Sequence, residues 1–65
     1  MILVELVTAS GDVVAEGKLP ATPRIGEFVF CKSNYEPPTY KYRVLSVEWL
    51  LGARVVDLVV EEVSG

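Results

Sequence analysis

The ten residues from Tyr40 to Trp49 (Tyr-Lys-Tyr-Arg-Val-Leu-Ser-Val-Glu-Trp) alternate as a β-strand does and then change phase. Tyr40, Tyr42 and Val44 share one parity, while Leu45, Val47 and Trp49 share the other. Successive strand side chains point to opposite faces, so a flat strand would send the two sets apart. A bulge or sharp coil reverses the phase and lets both sets point inward. The spacing places that bend near Leu45 and Ser46. Such a strand belongs in a small, strongly curved sheet.

The chain has 65 residues, enough for one domain spanning 1–65. A domain this short buries only roughly 60% of the surface its unfolded chain exposes, so its stability margin is thin. A disulfide within the chain is excluded, because Cys31 is the sole cysteine. With no histidine and one thiol, the composition argues against a metal cluster and implies no cofactor. A dense apolar core, self-association, or both must then stabilise the fold. The apolar share of 51% is high for so small a body and favours a partner surface. No run reaches the ~18 consecutive apolar residues of a membrane span. The start, Met-Ile-Leu-Val-Glu, lacks the basic region and cleavage site of a signal peptide. A free cysteine suits a reducing compartment, so the expected location is the cytoplasm, away from membranes. Without a histidine to activate it, Cys31 reads as a small core or strand residue and not as a nucleophile.

Five strands account for the pattern: residues 2–8, 13–18, 27–32, 40–50 and 55–63. Ile2, Val4 and Leu6 form one face of the first, with Glu5 on the other. Ala9-Ser10-Gly11-Asp12 is a turn in which Gly11 is free to take positive φ, so the first two strands form a hairpin. Leu19 to Gly26 is a connector whose Pro20 and Pro23 cannot donate ladder hydrogen bonds. Phe28 and Phe30 alternate with Val29 and Cys31, which describes a strand buried on both sides or one turning a corner. Ser33 to Thr39 is a second proline-containing loop, and Leu51 to Arg54 a short turn. In the last segment Val55, Val56, Val59, Val60 and Val63 also fit a helical spacing. Their branched side chains favour strand. Five short strands with turn signals between them describe an all-β fold, and a bent sheet buries more per residue here than a sandwich.

The order of these features resembles an SH3-like small β-barrel. A first hairpin and a proline-containing connector lead into Ile25-Gly26-Glu27-Phe28-Val29, similar to the hydrophobic-x-Gly-acidic-x-Val entry into a central strand of such barrels. Tyr42-Arg43-Val44 to Val47-Glu48-Trp49 is similar to their coiled strand. The resemblance implies a five-stranded barrel in which Gly26 takes a special backbone angle and Glu27 starts the strand on the solvent side. The Ala-Leu-Tyr-Asp-Tyr motif and tryptophan pair of the peptide-binding branch are missing, so recognition of proline-rich peptides does not carry over. The ribosomal and transcription-factor branch is usually basic, and this chain is acidic.

Three constellations could carry function. All six basic residues lie between positions 18 and 54, where the balance is +3, while the two ends hold six acids and no base. If the terminal strands pair, one side of the barrel is acidic and the other mildly basic. Second, Tyr35 and Tyr40 lie near the second proline loop with Lys32, Lys41 and Arg43, a set suited to a binding surface. Tyr42 and Trp49 are assigned to the core. Third, Leu3, Val7, Val55, Val59 and Val63 would face outward on the terminal strands and, if these strands are neighbours, give an apolar stripe suited to a partner. There is no histidine, phosphate-binding glycine loop or paired catalytic motif. The expected function is a non-catalytic protein-interaction or assembly module that associates with itself or another protein. The alternative is a nucleic-acid-binding barrel using the central basic and aromatic residues, opposed by the net charge of −3.

Overall fold

The computed structural model describes residues 1–31 and 40–63. Five strands make up the fold: β1 (Ile2–Thr8), β2 (Val13–Leu19), β3 (Phe28–Cys31), β4 (Tyr40–Trp49) and β5 (Val55–Glu62). They match the strands expected from the sequence, and no helix occurs among the described residues. The branched valines of the last segment form a strand. A pleated surface accommodates their restricted side chains better than a helix does.

The strands form one sheet in the order β2-β1-β5-β4-β3, curled into a half-barrel. β1 and β2 are an antiparallel hairpin, as are β4 and β5, and β3 pairs antiparallel with β4. The terminal strands β1 and β5 lie side by side and parallel at the centre. In the first hairpin Gly11 takes φ 97°, and its N–H donates to the Thr8 carbonyl at 2.9 Å. At the entrance to β3, Gly26 takes φ 91° and donates its N–H to the Val44 carbonyl at 2.8 Å. The connector thereby docks onto β4 where that strand bends.

That bend is a one-residue bulge. Val44 pairs with Val60 and Ser46 with Val59, leaving Leu45 as the extra residue. The phase reversal follows: Tyr42 and Val44 precede it on the concave face, and Val47 and Trp49 follow it there, opposite Leu58 and Val56. Leu45 departs from expectation. As the extra residue it shares the convex side with Ser46 and is exposed.

The concave face holds the core: Val4 and Leu6 from β1, Val44 from β4, and Val56, Leu58 and Val60 from β5, none more than 4% exposed. The register stacks them, with Val4 beside Val56, Leu6 beside Leu58 and Val44 beside Val60. Ile2, Ala15, Leu19, Val29, Cys31, Tyr42 and Val47 pack around this cluster. Tyr42 and Cys31 therefore support the core as expected.

Candidate functional site

The convex face is read in rows, because residues paired across adjacent strands share a face. Leu3 pairs with Val55 and Val7 with Val59, so the outward apolar residues of the two terminal strands do lie together. Val63 follows β5 and donates its N–H to the Lys41 carbonyl at 2.8 Å. All five residues are half-buried, since the branched neighbours of one strand shield those of the next. Val13 extends the Val7–Val59 row at one end, and Leu45 flanks it at the other.

One row is acidic. Glu16, Glu5, Asp57 and Glu48 are paired in succession across β2, β1, β5 and β4. Three of these carboxylates come from the ends of the chain, which the sequence marked as acidic. They form a line, and among the described residues no group of three acids, cysteines or histidines is placed to hold a metal ion. Like charges directly opposite one another destabilise a sheet. Glu5→Lys places a cation between Glu16 and Asp57, and we expect it to stabilise the fold by roughly 1 kcal/mol at low salt. Added salt should shrink that gain. Urea unfolding at two ionic strengths checks this, and an unchanged midpoint at low salt would show that the carboxylates do not repel.

Two basic residues, Arg43 and Lys41, lie together at one end of the same face. Arg43 pairs with Glu61 on β5 through a salt bridge, and across the ladder it faces Phe28. Lys41 faces Phe30, and its Nζ sits 4.2 Å from the centre of the Phe28 ring. Cations are attracted to the negative face of an aromatic ring at such distances. Tyr40 is separated from this group, because it pairs with Cys31 on the concave side. Lys32 and Tyr35 lie outside the described residues.

Two aromatic features differ from the sequence reading. Trp49 was assigned to the core and is 66% exposed. It points to the concave side but stands where the sheet ends, above Val56 near the start of β5. It lines an open cleft of about 440 Å³ with Pro23, Arg24 and Ile25 of the connector. Phe28 and Phe30 are 45% and 64% exposed, so β3 is not buried on both sides. The smaller Val29 and Cys31 take the concave face, where space is limited. The signal for this lay in the pairing of β3 with β4: charged Lys41 and Arg43 must face solvent, and their cross-strand partners follow them.

Between β2 and β3, the outer strands of the sheet, runs a groove of about 270 Å³, lined by Val4, Leu6, Ala15, Leu19, Val29 and Cys31 among others. Gly17 lies on the same side, opposite Val4, and a Cβ there would meet nothing within 4 Å. Burial pushes the Cys31 thiol above its ordinary value. Burial also raises the Tyr42 hydroxyl, followed by the Glu62 charge and by Cys31 and Tyr40. A thiol held protonated is a poor nucleophile, which suits a packing role.

No protein-family model matches this chain, and neither a curated protein nor a solved structure matches it significantly.

Proposed function

We propose that this chain is a non-catalytic interaction or assembly module with the layout of an SH3-like barrel, and that it associates with itself. One observation carries the reading. Six apolar side chains of the concave face already form a buried core, yet Ile25, Phe30 and Trp49 remain 69%, 64% and 66% exposed. Large apolar groups left in water outside such a core are what partner surfaces are made of. The half-buried stripe of Leu3, Val7, Val55, Val59 and Val63 adds apolar area at the centre of the sheet. Sedimentation across a concentration series tests the reading. A species larger than a monomer is expected in the high micromolar range. A monomer throughout, unchanged by Val59→Lys, counts against self-association.

A second reading is supported by the placement of Lys41 over Phe28 beside exposed Phe30. Flat rings with a cation between them suit the bases and phosphates of a single-stranded nucleic acid. The net charge of −3 and the acidic row on the same face oppose it. A salt titration with short RNA and DNA separates the two readings, and no binding at low salt removes the second.

A further inference from the structure

Among the described residues the half-barrel has two open edges, β2 and β3, and these two differ in chemistry. Along β2, Glu16 and Lys18 flank Gly17, and the register slips by one residue at Val14. Charges and bulges of this kind discourage a second chain from pairing with an edge. β3 reads Phe-Val-Phe-Cys, without charge, proline or bulge.

The hydrogen bonding of β4 shows which groups of β3 are unpaired. Val44 accepts from Gly26 and donates to the Glu27 carbonyl at 2.9 Å, so its backbone faces β3. The Lys41 carbonyl accepts from Val63, so Lys41 faces β5. Orientation alternates along an antiparallel strand. Tyr42 and Tyr40 therefore face β3 and engage Val29 and Cys31. Phe28 and Phe30, opposite Arg43 and Lys41, direct their N–H and C=O groups to the open edge.

We propose that β3 pairs antiparallel with β3 of a second copy, with Val29 opposite Val29 and each Phe28 opposite the other copy's Phe30. Opposite residues in an antiparallel pair share a face, so a two-fold axis must pass through a residue position. Only the Val29-centred register satisfies all the edge groups of both phenylalanines from within β3, through four hydrogen bonds. Registers centred on Phe28 or Phe30 set one phenylalanine against residues outside the strand. The chosen register also aligns four phenylalanines as cross-strand aromatic pairs on the convex face. A second copy is the occupant that this self-complementary arrangement fits.

The area sets the strength. At 45% and 64% exposure the two rings offer roughly 200 Å² per copy. A stable complex buries about 800 Å² per partner, so this dimer is at the weak, transient end of the scale. The inference rests on the self-association reading above and names its surface.

The test uses the full chain. In sedimentation from about 10 µM to about 1 mM, the range a small interface requires, a monomer–dimer equilibrium is expected. Amide hydrogen exchange on the unmodified protein should show the Phe28 and Phe30 amides slowing as concentration rises. A synthetic chain N-methylated at Phe30 keeps the ring and loses no bond to β4. It should need about tenfold more protein to dimerise, because two of four hydrogen bonds are gone. Val29→Cys with Cys31→Ser should oxidise to a disulfide dimer, since a wide antiparallel pair holds its Cα atoms ~4.5 Å apart. Exchange at Phe28 and Phe30 that ignores concentration, in a protein whose association is lost with Val59→Lys, overturns the β3 edge but keeps the assembly reading. Assemblies larger than a dimer overturn it as well, because a two-fold pairing closes at two. A monomer across the whole range overturns both.

Discussion

Leu58→Ala leaves the chain without a cooperative unfolding transition at 25 °C. Leu58 is fully buried at the centre of β5, the strand between β1 and β4. Leu6 lies beside it on one side and Val47 on the other. Removing such a side chain costs roughly 2–5 kcal/mol, because transfer energy is lost and a cavity remains. A core of this size rarely supplies more than about 3–5 kcal/mol in total. The deficit therefore matches the whole margin. Thermal melting followed by circular dichroism reads this directly. Leu3→Ala, at a half-buried position on the convex face, serves as the comparison and should retain a sigmoidal melt. A Leu58→Ala melt within a few degrees of the unmodified chain would show that the core lies elsewhere.

Two single-residue deletions in β4 should differ as sharply. Deleting Leu45 removes the extra residue of the bulge and leaves Val44 inward, Ser46 outward and Val47 inward. The strand then alternates regularly, and every core residue keeps its face. Deleting Val47 leaves the bulge intact and moves Glu48 to the position opposite Leu58. An isolated carboxylate in an apolar core costs several kcal/mol or forces the strand out. We expect the Leu45 deletion to fold with a modest loss and the Val47 deletion to unfold. Amide spectra of the two proteins, dispersed or collapsed, decide the matter. If the Leu45 deletion collapses as fully as the other, the bulge maintains the curl of the sheet and not merely the phase of the strand.

The same bulge shows what a linear reading captures. A change of parity within one strand is a local property, visible wherever apolar residues switch phase. It located the bend at Leu45 and Ser46 without any knowledge of the partner strand. Gly11 and Gly26 were legible for a related reason, since a turn and a strand entrance each need a backbone angle that glycine adopts freely. The pairing of Leu3 with Val55 and of Val7 with Val59 needed one further assumption, that the terminal strands are neighbours.

The aromatic residues were harder. Assigning Trp49 to the core treated size and hydrophobicity as sufficient, but burial also needs something above the ring. Trp49 occupies an inward position at the end of the sheet, and among the described residues no strand extends over it. For β3, the alternation of two phenylalanines with valine and cysteine fits either orientation. Its register against Lys41 and Arg43 chose the face.

From the sequence alone came the strand class, the positions of the five strands and the bend in β4. Each follows from side-chain period, branching and turn chemistry, which act over a few neighbouring residues. Only the tertiary structure decided which edge is guarded and which is open. It also brought four carboxylates into one row and left Phe28 and Phe30 facing outward. Those outcomes depend on register between strands far apart in the chain. A shift of one residue in pairing reverses every face, and no local pattern records that choice.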